Sequence, residues 1–438
     1  MERIYYNEQY IYVIRDGDYV LFYNNQNGKI ACSKSIELID KDFFKATTDT
    51  TIDLEAVEYE QLYLAVSESC NFRCKYCRQK KTSAIENMSI AEIKNAIDVF
   101  YKVAKIPKSI VFFGGEPLLN FDGIKYAISY VRSFDDNISF SMVINGSLCT
   151  KEIADFLSSN NVEVIVSLDG PARYHNFARC NANGEGTYEK AIRGYQLLKE
   201  SGCKTGITTV IGPHNEEVFE ELIEWAIELK PNSLGFCLPH GNEDNYAMKL
   251  SSFDLAHQRM MDAYEILHNQ GIYLVQVEQK MNAFIAGRAI PYECKACGKR
   301  IVACKGTRFG ICEGPITMHD KFFDSVDKLP TCIKEYKKTS PFYIKECRSC
   351  IAYRICGGSC VYDKLTRFGR ADIKDECRCG LTRMIAEKSL EIVLNSISNI
   401  EKCRVLSQAE RDNIIDKLES PLIKRGVRYH ERTGFIHR

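Results

Sequence analysis

Three thiols fall within eight residues, in the run Ser69-Cys70-Asn71-Phe72-Arg73-Cys74-Lys75-Tyr76-Cys77. A loop with this C-x3-C-x2-C spacing can wrap three irons of a cubane cluster and leave the fourth iron without a protein ligand. A thiolate-held 4Fe–4S cluster normally takes four cysteines, so the last position is left for another molecule. Tetrahedral zinc is the competing use, but zinc sites usually take four closely set ligands from paired C-x2-4-C knuckles. The chain must therefore fold so that this loop closes around a metal group.

At 438 residues the chain is too long for one ordinary core, and two or three domains are expected. Hydrophobic residues at 45% with 26% charged describe a globular composition, and the formal net charge of zero gives no long-range attraction to nucleic acid or an anionic membrane. The start, Met1-Glu2-Arg3-Ile4-Tyr5-Tyr6, has no apolar stretch of the secretory kind. No run approaches the ~18 apolar residues that span a bilayer. Twenty cysteines in a long chain without an export signal point to metal binding rather than disulfides. A cytoplasmic location under reducing, low-oxygen conditions is expected.

Residues 1–57 predict a small appended β-rich domain. Its strands are Arg3–Tyr6, Tyr10–Ile14, Tyr19–Tyr23 and Lys29–Cys32, parted by Asp16-Gly17-Asp18 and Asn24–Gly28 turns, with a short helix at Ile36–Phe44. From residue 58 to 290 strand and helix alternate. Strands are predicted at Leu62–Val66, Ile110–Phe113, Ile138–Ile144, Val162–Leu168, Lys204–Val210 and Leu234–Leu238. Helices are predicted at Ile90–Ala104, Ile124–Phe134, Lys151–Ser158, Tyr188–Glu200 and Glu216–Leu229, with caps at Ser89 (Glu92 three residues on) and Thr187. Six such units imply a parallel sheet with right-handed crossovers. Residues 291–385 hold most of the cysteines and show little regular periodicity, and residues 386–438 form a C-terminal helical region and tail. Two amphipathic helices, Thr382–Ser396 and Gln408–Leu418, precede a basic tail with Lys424, Arg425, Arg428, Arg432 and Arg438, read as a solvated end.

Gly114-Gly115-Glu116-Pro117 ends the second predicted strand, where two glycines let the backbone approach a ligand and Glu116 can accept from an ammonium. Asn145-Gly146 closes the third, and the fourth ends Ser167-Leu168-Asp169-Gly170, followed by His175 and Arg179. With the cysteine loop, these motifs resemble the radical S-adenosylmethionine (SAM) superfamily over most of the chain, about residues 58–385. The resemblance implies an α/β fold, a partial (β/α)6 barrel with its chemistry at the C-terminal strand mouths. It implies that Cys70, Cys74 and Cys77 hold a SAM-binding 4Fe–4S cluster and that Tyr76 packs near the adenine. Gly114, Gly115 and Glu116 would meet the methionine amino group, with Asn145 nearby. The family's Thr-Asn-Gly is altered, since Ile144 replaces the threonine. Ser167 would contact the ribose or carboxylate side, and Arg179 would pair with the SAM carboxylate through its planar fork. For Asp169 and His175, ligand contact and a role in fixing the loop both stand open.

A second array, Cys347-x2-Cys350-x5-Cys356-x3-Cys360, is similar to the core of the SPASM domain, which carries two auxiliary 4Fe–4S clusters. By that resemblance one cluster uses Cys297, Cys312 and Cys360 with Cys294, Cys304 being the alternative to Cys294. The other uses Cys347, Cys350, Cys356 and Cys379, with Cys377 competing for the last place. Gly306 sits one residue further from Cys312 than the domain's usual pattern. In anaerobic sulfatase maturases a carboxylate corresponding to Glu313 deprotonates the substrate, so Glu313 is a candidate general base; an ordinary surface glutamate is the alternative. Three 4Fe–4S clusters and SAM are thus the expected cofactors.

SPASM enzymes mostly modify ribosomally made peptides or proteins. The first expectation is a maturase that removes hydrogen from a residue of a precursor peptide and joins that carbon to a cysteine sulfur. Anaerobic sulfatase maturation and carbon–carbon crosslinking or epimerisation are the alternatives, and a non-catalytic metal scaffold is a fourth reading. The expected partners are a precursor peptide, leader-dependent through β-augmentation on residues 1–57, and an external electron donor such as flavodoxin or ferredoxin. No nucleic-acid or membrane partner is expected.

Overall fold

The computed structural model describes residues 1–16, 19–45, 53–77, 79, 86–238, 240, 250–314, 321–397 and 404–424. The tyrosine- and valine-rich N-terminal segments pair as antiparallel strands β1 (Glu2–Tyr6), β2 (Gln9–Asp16), β3 (Tyr19–Asn24) and β4 (Ile30–Ser33). One face buries Ile11, Val13, Val20, Phe22 and Ala31 against Ile36, Ile39 and Phe43. The helix expected at Ile36–Phe44 is instead two 3-10 turns, Ile36–Leu38 and Lys41–Phe43. Asp40 lies between them and accepts from the Asp42 N–H, restarting the chain as a capped turn.

The alternating segment gives β5 (Gln61–Ser67), α1 (Ile90–Val103), β6 (Ser109–Gly114), α2 (Phe121–Arg132), β7 (Ser139–Ile144), α3 (Lys151–Ser159), β8 (Glu163–Ser167), α4 (Ala172–Ala178), α5 (Tyr188–Glu200), β9 (Thr205–Val210), α6 (Phe219–Leu229) and β10 (Ser233–Cys237). The six strands are parallel neighbours in chain order, as the pattern predicts. Helix α1 buries an apolar stripe of Ile93, Ala96, Ile97 and Phe100. Ser89 and Glu92 form the expected capping box. Thr187 does not cap α5: its hydroxyl donates to the Arg179 carbonyl instead. Helix α4 has no counterpart in the sequence reading.

Helices α7 (Phe253–Asn269) and α8 (Val275–Ile285), with the short β11 (Tyr273–Leu274) between them, were likewise unassigned by periodicity. The stretch read as irregular contains β12 (Arg300–Cys304), β13 (Arg308–Gly310), α9 (Leu329–Lys337) and α10 (Val361–Phe368). Strand β12 pairs parallel with β5, and β13 pairs antiparallel with β12. The parallel sheet thus gains two strands at the β5 edge. Then follow α11 (Glu376–Ser396), β14 (Arg404–Val405) and α12 (Gln408–Lys424), the last continuing through Pro421. The tail beyond Lys424 lies outside the described residues.

The chain divides into two compact units, one of residues 1–55, 252–294 and 337–424, the other of 56–251 and 295–336. In the first, β14 joins the N-terminal sheet beside β4, so the strand order is β1-β2-β3-β4-β14. Asn25 donates to the carbonyls of Arg348 at 2.9 Å and Cys350 at 2.8 Å. The N-terminal sheet therefore packs onto the cysteine-rich segment, not as an isolated appendage. Among the described residues, no helix is long and apolar enough to cross a membrane.

Candidate active site and cysteine array

In the parallel-sheet unit, the cysteine loop begins two residues beyond β5, at the C-terminal edge of the sheet. It is clamped by Arg73 N–H donating to the Cys180 carbonyl at 2.6 Å and Lys75 N–H to that of Ala178 at 2.9 Å. The Arg73 side chain turns back onto the carbonyls of Cys70 and Phe72. Cys70, Cys74 and Cys77 lie close enough to act on one another's ionisation. Burial pushes Cys70 up to about 11, Glu116 and then Cys77 adding to it, and pushes Cys74 up to about 12, Cys77 and Asp169 adding to it. Two buried thiols that resist carrying charge unaided fit a metal group that takes it up.

Gly114 and Gly115 stand against the backbone that leads into the cysteine loop. A Cβ on Gly114 would stand 2.1 Å from the Ser67 carbonyl oxygen, and one on Gly115 2.2 Å from that of Ser69. The room is taken by the backbone that leads into the cysteine loop, with Gly115 and Glu116 N–H donating to Ser67 and Ser69, both at 2.8 Å. Glu116 is fully buried and accepts from the N–H of Leu118 at 3.1 Å and of Asn145 at 2.7 Å. Burial pushes its carboxyl up to about 7, those two bonds holding it back. Asn145 donates to Asn71 Oδ1 at 2.8 Å, and Asn71 to Ser147 Oγ at 2.9 Å. Asn71 and Ser147 had not been singled out.

Asp169 joins the motifs into one network. Its Oδ2 accepts from Tyr76 Oη at 2.5 Å and lies 3.0 Å from Arg179 Nε and 3.5 Å from His214 Nε2. Its Oδ1 accepts from Val210 N–H at 2.9 Å. Although burial opposes ionisation, Arg179 and His214 hold this carboxyl well below the usual range. Arg179, expected to meet a SAM carboxylate, is thus ion-paired with Asp169, its guanidinium 5.3 Å from the Tyr76 ring. His175 accepts from Asp169 N–H at 3.4 Å through Nδ1 and meets Thr187 Oγ1 at 3.1 Å through Nε2. Because Thr187 spends its proton on the Arg179 carbonyl, Nε2 is the donor and His175 is neutral. Burial, helped by Arg179, pushes His175 down to about 3. His214 stacks on Tyr76 with centroids 6.1 Å apart, and Asn215 donates to the Asp169 carbonyl at 3.2 Å. Neither was found in the sequence, although the Gly212-Pro213 turn after β9 marks a strand mouth. Ser167 pairs with Thr208 in the sheet register, half-buried at the end of β8.

Glu313 is not a surface residue. It is fully buried, its Oε2 3.0 Å from Arg300 Nη1. Arg300 also donates to Gln61 Oε1 at 3.0 Å and lies 3.9 Å from the Tyr63 ring centroid. Arg300 opens β12 in register with Gln61 at the start of β5. The pair is anchored where these strands begin, and the Glu313 carbonyl accepts from Gln79 Nε2, two residues past Cys77, at 3.4 Å.

In the other unit, Cys347, Cys350, Cys356 and Cys379 act on one another electrostatically. Burial pushes Cys347 up to about 11 and Cys356 to about 12, the neighbouring thiols adding to it. Cys379 donates to the Asp375 carbonyl at 3.3 Å, whereas Cys377 accepts from Arg367 at 3.8 Å. Gly357 and Gly358 have φ of 66° and 78°, and a Cβ on Gly358 would stand 2.4 Å from the Thr339 carbonyl oxygen. Cys360 precedes α10. Cys294 and Cys360 belong to this unit, and Cys297 and Cys312 to the parallel-sheet unit. Cys297 donates to the Tyr336 carbonyl, and Cys312 accepts from Gly314 N–H at 3.4 Å. Cys304 is packed in an apolar cluster with Tyr63, Ala65, Val111, Val302 and Phe322.

Residues 64–226 match the Radical SAM superfamily model. The chain carries a radical SAM domain. It is similar to the radical SAM cyclopropyl synthase TigE of Paramaledivibacter caminithermalis, 26% identical over 362 residues, covering 76% of this chain and 74% of that protein. Its fold is similar to that of anSMEcpe with bound AdoMet, at TM-score 0.67 and 18% identity over 84% of this chain and 99% of that one. It is also similar in fold to Streptococcus suis SuiB bound to its precursor peptide SuiA, at TM-score 0.54 and 14% identity over 74% of this chain and 76% of that one. A radical SAM domain implies a 4Fe–4S cluster and SAM. The mutually coupled thiols at the strand mouth, beside a buried carboxylate and a buried arginine, fit that pair of groups.

Proposed function

We propose that this radical SAM enzyme is a maturase of a ribosomally made precursor peptide, which removes a hydrogen atom from one residue and closes a thioether from that carbon to a cysteine sulfur. The observation that carries the reading is the pair of cysteine groups in one chain: three coupled thiols at the mouth of the parallel sheet and four more in the other unit. The first suits radical generation, and the second suits one-electron traffic. SuiB, solved with its precursor peptide SuiA, is a fold relative that engages such a substrate.

When bound, the cluster and SAM supply a 5′-deoxyadenosyl radical able to take hydrogen from an unactivated carbon. Cys70, Cys74 and Cys77 hold the cluster, leaving one iron for SAM. Glu116, at the end of β6, accepts from the methionine ammonium, and Asn145 fixes Glu116 through its backbone N–H. Tyr76 and Arg179 are held by Asp169 and present a ring and a cation to the nucleoside and carboxylate of SAM. Gly114 and Gly115 allow β6 to close on the cysteine loop, and Ser167 faces the same mouth. Glu313, ion-paired with Arg300, receives the thiol proton. In this reading residues 58–290 are the barrel, and residues 291–385 form a SPASM domain with two auxiliary clusters. One is held by Cys347, Cys350, Cys356 and Cys379. Strand β1, at the end of its sheet with Tyr5 exposed, offers an edge to a leader peptide. A flavodoxin or ferredoxin in the cytoplasm supplies the reducing electron.

Closure to carbon is the second reading, favoured by the similarity to TigE, whose name gives a cyclopropyl product. Both closures remove two hydrogens. Anaerobic reaction with a cysteine-bearing precursor, read by mass spectrometry before and after thiol alkylation, separates them. A product two hydrogens lighter with one cysteine no longer alkylated supports the thioether. The same mass loss with every cysteine alkylated supports carbon–carbon closure, and SAM cleavage with no peptide change overturns both.

A further inference from the structure

Lys364, on α10, is 1% exposed. Its ammonium donates to Thr339 Oγ1 at 2.9 Å, to the Ala371 carbonyl at 3.3 Å and to the Thr339 carbonyl at 3.5 Å. All three acceptors are neutral. A buried ammonium is costly unless a negative charge compensates it. Thr339 Oγ1 donates on to the Ser359 carbonyl at 3.1 Å, three residues past Cys356, so the ammonium sits against the loop that carries this array thiol. The nearby carboxylate of Asp375 is already engaged by Arg367, at 3.1 and 3.3 Å. A 4Fe–4S cluster on four thiolates carries two negative charges when oxidised and three when reduced.

Three further cations approach the array. Lys280 donates to the Cys356 carbonyl at 3.4 Å but is 3.2 Å from Glu293, Arg383 contacts Cys379 but is 2.9 Å from Glu376, and Lys374, which acts on Cys347 and Cys379, is 2.5 Å from Glu376. All three have carboxylate partners. Among the described residues no carboxylate accepts a hydrogen bond from the Lys364 ammonium, and the loaded array supplies the negative charge beside it.

We propose that Lys364 is the internal counter-ion of a 4Fe–4S cluster on Cys347, Cys350, Cys356 and Cys379, raising that cluster's midpoint potential so that it accepts the electron released in bond closure. The inference rests on reading the array as a cluster site. A fixed cation stabilises the more negative, reduced state more than the oxidised one. The balance closes as follows. One hydrogen atom leaves the substrate carbon for the SAM-derived radical, the sulfur–carbon bond forms, and the thiol proton passes to a base. The one electron left over reduces the array's cluster by one, and an iron–sulfur or flavin electron carrier takes it away.

The test is an EPR-monitored redox titration of the anaerobically reconstituted full chain, with iron and sulfide counted in each sample. Cys356→Ala identifies the array's signal by removing it. Lys364→Met is expected to keep the iron count and shift that signal's midpoint downward, leaving the Cys70–Cys77 cluster unmoved. Lys364→Arg should restore the midpoint, and Lys280→Met should shift it less. Lys364→Gln, which keeps a donor toward Thr339, serves should the methionine variant not fold. Unchanged midpoints at full iron content overturn the counter-ion role. A wild-type chain with iron for the barrel cluster alone overturns the array reading itself, which is a distinguishable failure.

Discussion

The buried pair Arg300–Glu313 offers a prediction whose size follows from its surroundings. Arg300 is 1% exposed and Glu313 fully buried, 3.0 Å apart. Replacing Arg300 with methionine fills most of the volume but strands the carboxylate, which in a buried pair costs about 3–5 kcal/mol. The contact with the Tyr63 face, about 0.5–2 kcal/mol in such settings, is lost as well. For a unit of this size each kcal/mol lowers Tm by roughly 2 °C, so Arg300→Met should melt about 7–14 °C below wild type. Arg300→Met/Glu313→Leu removes both charges and should recover most of that loss, since an apolar replacement of a whole buried pair is often neutral. The assay is calorimetry or near-UV circular dichroism on the iron-loaded chain, the four proteins forming a double-mutant cycle. Additive losses, or a shift below about 2 °C for Arg300→Met, would refute the reasoning. Steady-state kinetics on Glu313→Gln separate catalysis from support: peptide product should fall by roughly 10²–10⁴ for a lost general base, with SAM cleavage retained.

Cys70→Ala should lose SAM cleavage entirely, while Cys356→Ala should keep cleavage and lose peptide product, both read by chromatography of 5′-deoxyadenosine and peptide. Gly115→Ala places a methyl group against the Ser69 carbonyl, so the loop must move; less iron retained at the barrel cluster and at least ~2 kcal/mol of lost stability are expected. His175 is neutral when folded at about 3, below its ordinary value of 6.5, so the unfolded chain binds the extra proton first and stability falls as pH drops below 6.5. Between pH 7 and 5 this amounts to roughly 2 kcal/mol, and a His175→Gln variant should show a correspondingly flatter urea-midpoint profile. Tyr5→Pro removes a backbone donor from the edge strand β1 and should raise KM for the full precursor while sparing uncoupled SAM cleavage; an unchanged KM would place leader recognition elsewhere.

The sequence by itself determined what is written over short distances. The period of apolar residues specified six parallel strands and most of their helices, because burying one face of each element is a local demand met wherever the core lies. Ser89 and Glu92 are three residues apart and cap α1 by themselves. The C-x3-C-x2-C loop brings its thiols together by spacing alone. Tertiary structure decided the rest. Asp169 gathers Tyr76, Arg179, Val210 and His214, residues scattered over more than a hundred positions. Thr187 looked like a cap but serves the Arg179 carbonyl, and Gly114 and Gly115 make room for the backbone of Ser67 and Ser69. Strand β12 sits in a stretch without clear periodicity and is specified by the open edge of β5. Cys377 and Cys379 stand two apart in sequence, yet Cys379 donates to the Asp375 carbonyl while Cys377 accepts from Arg367. For Asp169, Gly114, Gly115 and β12 the deciding partner lies far along the chain, so the hydrogen-bond or steric demand that fixes the residue exists only once the elements have packed.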